Sequence, residues 1–134
     1  MAYEESLRSI TLNADASIGI YTGVPGQPGS ATPHGGKQYH FVIVTGVHQC
    51  GLADGTGTVV GVLQNKPQGV GNAATVGYHG VSKVVSDVAI TAGQKIASSA
   101  DGQAAVAGAS NAVGIALSTS ANAGELIDVL LLKS

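Results

Sequence analysis

An apolar run enclosing a glycine occurs twice, and it restricts the chain to folds in which two similar β-hairpins share one body. Val59-Val60-Gly61-Val62-Leu63 runs into the polar stretch Gln64-Asn65-Lys66-Pro67. Ala112-Val113-Gly114-Ile115-Ala116-Leu117 runs into Ser118-Thr119-Ser120. Each is followed by a Gly/Ala/Asn turn and a second apolar run, Ala74-Thr75-Val76 in one case and Glu125 to Leu131 in the other. A glycine inside a strand marks a bulge or a close approach of backbones. Gly61 and Gly114 are therefore expected at equivalent close approaches, where a side chain would clash.

The rest of the chain has the same short rhythm. Ser9-Ile10-Thr11-Leu12-Asn13 alternates and predicts a short strand. Tyr39 to Val44 is rich in aromatic and β-branched residues. Asp54-Gly55 and Asp101-Gly102 are turn pairs. Ala74 to His79 and Val81 to Val85 read as strands on either side of a bend at Gly80. Strands at this spacing, with turn signals between them, predict an all-β fold, a small compact β-barrel or β-tulip-like domain with two related hairpins. The only helical expectation is a short turn near Ser110-Asn111-Ala112. Residues 1–12 read as an N-terminal arm, and 13–134 as a single β domain. That domain carries a Pro/Gly-rich loop at 22–37, longer than connections usually are.

Composition limits the function. The chain has 134 residues, enough for one domain, and 44% of them are hydrophobic. Charged residues make up only 10%, against about 25% in ordinary soluble domains. A surface so poor in charge suits burial against copies of itself or a larger scaffold. The six Lys and Arg are scattered singly and the net charge is −2, so the basic stripe that nucleic-acid binding needs is missing. No apolar run approaches the ~20 residues of a membrane helix. The acidic N-terminus lacks the features of a signal peptide, and the chain fits a reducing cytoplasm.

No cluster of side chains carries chemistry. His34, His40, His48 and His79 lack the spacing of a metal site. Asp15, Asp54, Asp87 and Asp101 fit turns. Glu125 and Asp128 fall on opposite faces of a strand. Gly36-Lys37 is followed by Gln38 and a strand, which excludes a phosphate-binding loop. Cys50 reads as a small buried hydrophobe. Lys83 lies inside an apolar alternating run without the flanks of a modified carrier lysine. A carrier or ligand-binding β-barrel module of a bacterial enzyme is therefore the alternative reading. No catalytic residue, cofactor or metal is expected.

Several stretches, taken together, resemble the tailed-phage capsid cement (head decoration) proteins. They are Lys37-Gln38-Tyr39-His40-Phe41-Val42, Val60-Gly61-Val62-Leu63-Gln64-Asn65-Lys66-Pro67, Gly80-Val81-Ser82-Lys83-Val84-Val85, Ile90-Thr91-Ala92-Gly93, and Ala123 to Leu131. The run from Gly61 to Pro67 is the most specific. The resemblance implies a non-catalytic virion protein, made in the host cytoplasm and seated on the capsid exterior. It further implies a homotrimer that binds the phage major capsid protein and clamps the expanded head. Relatives run almost directly from the N-terminal strand into the Lys-Gln-Tyr strand, so residues 22–36 are an addition. Two contact segments are expected. Residues 2–12, with Ser9, Ile10, Thr11 and Leu12, would pair with a capsid-protein strand. Gln64, Asn65 and Lys66 would fix a turn or touch a neighbour.

Overall fold

The computed structural model describes residues 7–15, 17–18, 37–67, 70–108 and 112–132. Met1 to Ser6 of the expected arm, most of the 22–37 loop and the helical turn expected near Ser110 lie outside these residues. Nine strands account for the described fold: β1 (Arg8–Ala14), β2 (Phe41–Gly46), β3 (Gln49–Leu52), β4 (Val59–Leu63), β5 (Ala73–Val85), β6 (Lys95–Ser98), β7 (Ala104–Val106), β8 (Gly114–Ala116) and β9 (Leu126–Leu131). No α-helix occurs among the described residues.

β1, β3, β2, β4 and the first half of β5 form a closed five-stranded barrel, sealed by the β1–β5 pairing. The expected bend at Gly80 is where one long strand changes partners. His79 pairs with Arg8 of β1, whereas Gly80 pairs with Leu131 of β9. Gly80 has φ 117, a conformation that L side chains rarely adopt. The second half of β5 then starts a second unit, ordered β5-β9-β8-β6-β7.

That second unit is a copy of the first. Both expected hairpins are present: Leu63 pairs with Val76, and Ala116 with Val129. The correspondence reaches single hydrogen bonds. Gln64 N–H donates to Thr75 at 2.7 Å, and Leu117 N–H donates to Asp128 at 2.7 Å. Asn65 Oδ1 accepts from Thr75 N–H at 2.9 Å, and Ser118 Oγ accepts from Asp128 N–H at 2.9 Å. Beyond the hairpins, Val42 pairs with Leu52 as Ile96 does with Val106. β1 is matched by the second half of β5. Ala14 bridges Cys50 in parallel, and Ser86 bridges Ala104 in parallel. Two tandem five-stranded units thus share one strand.

The interiors correspond as well. The first holds Ile18, Val42, Cys50, Leu63, Ala74 and Val76. Their counterparts Ile90, Ile96, Ala104, Ala116, Ile127 and Val129 fill the second. The Leu63/Ala116 exchange removes volume that the Ala74/Ile127 exchange restores, so both cores stay close-packed with few aromatics. Cys50 is buried as expected, and burial together with the nearby Asp15 charge pushes its thiol up to about 11.

The two seams differ. In the first barrel Asn13 N–H donates to His48 at 2.7 Å. In the second, the segment Tyr39–Phe41 of the first barrel enters the equivalent gap. Val85 N–H donates to Tyr39 at 3.0 Å, and Phe41 N–H donates to Gly102 at 2.7 Å. Phe41 is fully buried and packs in the second core. Beside it lies the buried His40. Its Nδ1 is 3.2 Å from the Gln38 carbonyl and its Nε2 is 3.5 Å from Gln103 Nε2. This arrangement suits a neutral ring that donates at Nδ1 and accepts at Nε2. Burial lowers the His40 pKa below the ordinary 6.5.

Two predictions follow from this packing. A Cβ at Gly61 would strike the Gly77 carbonyl oxygen and lie 2.7 Å from Val76 Cγ1. One at Gly114 would lie 2.6 Å from both the Leu130 oxygen and Val129 Cγ1. Gly61→Val and Gly114→Val should each cost on the order of 3 kcal/mol through overpacking, read as a lower denaturation midpoint at unchanged slope. The second concerns pH. The depressed His40 pKa means the unfolded chain binds the extra proton first as pH falls. Stability should be complete above about pH 6.5 and decline below it. His40→Gln installs the residue type of its counterpart Gln94. Melting curves at pH 7.5 and 5 should show a smaller acid loss in that variant than in the parent.

Candidate contact surface

No group of three or more His, Cys, Asp or Glu among the described residues could hold a metal ion. Of the histidines, His40 is buried between the two units, His48 is exposed in the β2–β3 turn, and His79 is exposed on β5. His34 lies outside the described residues. Asp54 accepts from Thr56 N–H at 2.9 Å and Oγ1 at 2.7 Å, and these bonds hold its carboxyl below the usual range. Asp15 likewise accepts from Ser17 and from Thr45 Oγ1 at 2.8 Å. These are the turn roles expected of them. A groove of about 410 Å³ runs between the units, bordered by Thr56 to Gly61, Tyr78 and Val113. No carboxylate, imidazole, amine or thiol lines it. Lys83 sits within β5 rather than at a hairpin tip, exposed and 3.6 Å from Asp128. Such an exposed pair contributes little.

What the surface does offer is a strand edge. Ser9, Ile10 and Thr11 are exposed on β1, Ile10 at 42%, and Leu12 is half-buried. All four are paired with β5 on one side, opposite Gly77, Val76, Thr75 and Ala74. The strand therefore crosses the arm–body boundary expected at residue 12, and its outer part is built into the first barrel. On its other side β1 meets β3 only at Asn13 and Ala14. Asn13 and Asp15 donate toward β3, at His48 and Cys50, while Ala14 donates to Asn72. Strand alternation then turns the backbone groups of Ser9 and Thr11 to the β3 side, ahead of the start of β3. Among the described residues that edge carries no strand. Unpaired edges accept further strands.

The second expected segment has a different character. Gln64 Nε2 donates to Ser82 Oγ at 2.8 Å and to the Val62 carbonyl at 3.1 Å. The Gln64 carbonyl accepts from Gln38 at 2.7 Å. Asn65 Nδ2 donates to Ala73 at 3.0 Å, completing a clamp with its bond from Thr75. Both amides are thus bonded within β4 and β5. Lys66 alone of the three is exposed. Sequence reasoning missed the β2–β3 tip. Val44 is exposed there and Val47 is 91% exposed, beside His48 at φ 51. The signal was an apolar residue set between Gly46 and His48 in a turn.

Comparison with known proteins gives these surfaces a context. None of the curated proteins matches the chain. Among solved structures, the N base of head fiber gp8.5 in bacteriophage phi29 is similar, with a TM-score of 0.63 at 16% identity over 96% of this chain and 97% of that one. At that identity the likeness shows a common fold. The family described as phage cement protein matches residues 31–131, and the resemblance quoted from Lys37 to Leu131 falls inside that span. With both hairpins and all of the second unit within the match, the chain belongs to the phage cement protein family.

Proposed function

We propose that this protein is a non-catalytic virion component that binds the outer surface of a phage capsid as a homotrimer. There it contacts the major capsid protein and cements the expanded head. The observation that carries this reading is the open edge of β1 in a member of the phage cement protein family. A strand of the capsid protein adds at Ser9 and Thr11, with Ile10 as a neighbouring apolar contact. Each such contact is small, and repetition over a symmetric shell multiplies their effect. A body of 10% charged residues favours close seating on a protein surface.

Because β1 closes the first barrel, removing it would unfold the body, so the test must spare the β5 pairing. Thr11→Pro removes an N–H that faces the open edge, a position where strands tolerate proline. Ile10→Asp places a charge beside it. Each variant should keep the parental circular dichroism and melting temperature. Each should also lose about tenfold or more of its binding to purified expanded heads in co-sedimentation. Parental binding by both folded variants would refute the edge assignment.

A further inference from the structure

The groove between the two units is bordered by irregular points of their strands. Val42 pairs with Gly61 and Ile43 with Val59, so Val60 is an extra residue in β4. In the second unit Ile96 pairs with Gly114, and Val113 N–H donates to the Ile96 carbonyl at 2.7 Å. Two consecutive residues, Val113 and Gly114, thus face Ile96, as Val60 and Gly61 do their partner strand. A further irregularity has no copy. Arg8 pairs with His79 and Ser9 with Gly77, which makes Tyr78 an extra residue in β5. The counterpart pairs, Gly80 with Leu131 and Val81 with Leu130, run without a shift. Bulges re-aim side chains and gather beside functional sites. Val60, Val113 and Tyr78 all line the groove.

Tyr78 is half-buried there, in a chain with four Tyr, one Phe and no Trp. Thr56, Thr58 and Ser98 add hydroxyls to the lining. Thr56 Oγ1 donates to Asp54 at 2.7 Å, and Ser98 Oγ donates to the Ser99 carbonyl at 2.9 Å. Both oxygens keep lone pairs with which to accept from a ligand, while Tyr78 and Thr58 can donate as well as accept. The lining selects the ligand. A phosphate, carboxylate or ammonium group would lose its water here without meeting an opposite charge. A wholly apolar molecule would cover the hydroxyls without bonding them. A peptide strand needs an open edge, but Val113 N–H is taken by Ile96, and its carbonyl accepts from Leu132 N–H at 2.9 Å. A sugar unit meets every condition. Its hydroxyls match those of the walls, and its C–H face suits an aromatic ring with a polar tip. The volume of about 410 Å³ lies within the roughly 300–1,000 Å³ of small-molecule sites.

We propose that this groove binds a neutral glycan, a short run of uncharged sugar units with one ring against Tyr78. Thr58 and Ser98 bond its hydroxyls, and Val60 and Val113 cover its apolar edges. No β1 residue lines the groove, so the site does not rest on how the chain seats on a capsid.

Amide NMR of the isotope-labelled protein tests the assignment. The probes are glucose, N-acetylglucosamine and the trimers maltotriose, cellotriose and chitotriose. At least one trimer should shift Thr58, Val60, Tyr78 and Val113 saturably, and about tenfold more tightly than its monomer. The affinity should be the same at low and high salt, because no charge takes part. Thr58→Val alters an exposed site, should melt like the parent, and should weaken binding severalfold. Tyr78→Ala should weaken it about tenfold or more, and Tyr78→Phe, which keeps the ring, should lose less. Absence of saturable shifts with every sugar, shifts that map outside the groove, or binding abolished by salt would overturn the proposal. So would parental affinity in both Thr58→Val and Tyr78→Ala, or an uncharged valine–threonine peptide that shifts these residues where the sugars do not.

Discussion

The fold depends on β5 belonging to both units. Thirteen residues, Ala73 to Val85, supply the last strand of one unit and the first strand of the other. A strand cannot slip against itself, so its pairings with β1 and β4 on one side of Gly80, and with β9 on the other, are locked in one relative register. The Tyr39–Phe41 segment adds a second tie at the opposite seam. The two units are therefore held at both ends of their contact, by a continuous backbone and by two backbone hydrogen bonds. Without the shared strand, each unit would be a small barrel of mostly Ala and Val, with little core to sustain it.

The sequence made half of this visible. The Gly61 and Gly114 runs are legible because a glycine inside an apolar strand is conspicuous, and both copies kept it for the same backbone clash. The corresponding strands before them are not legible. Phe41 matches Lys95, Cys50 matches Ala104 and Leu52 matches Val106, so the repeat survives there only as hydrogen bonding. Burial explains the drift. Phe41 enters the second core, whereas Lys95 is exposed. The inserted Pro/Gly stretch also breaks the spacing between Ile18 and Lys37, where the other copy passes from Ile90 to Thr91 directly.

The candidate surface was legible unevenly, for a similar reason. The alternation of Ser9 to Asn13 marks a strand, but its partner lies some sixty residues further on. Local pattern cannot tell a strand that awaits a foreign partner from one that closes its own barrel. β1 does the second along one edge, and along the other it pairs among the described residues only through Asn13 and Ala14. Asn65 is polar, and polar turn residues are read as contacts or clamps with equal ease. The structure adds the paired bonds of its amide to Ala73 and Thr75, which no local pattern announces. Val47 stands out once its exposure is known, because an apolar side chain at a hairpin tip gains nothing from its own fold.

The connection that carries the Pro/Gly stretch has a minimal form in the second copy. There the chain passes from Ile90 to Lys95 through a single turn, in which Gln94 N–H donates to Thr91 at 3.1 Å and Gly93 takes φ 93. His40 donates to Lys37 at 3.1 Å in the same way, so the first barrel keeps that turn after its insertion. The barrel asks only for the turn itself and places no requirement on the length of chain delivered to it. A loop-closure cost that grows only logarithmically with length makes such a site cheap to extend. This junction therefore admits added chain at little cost to the barrel, and Thr91–Gly93 is the corresponding junction of the second unit, spanned by the turn alone.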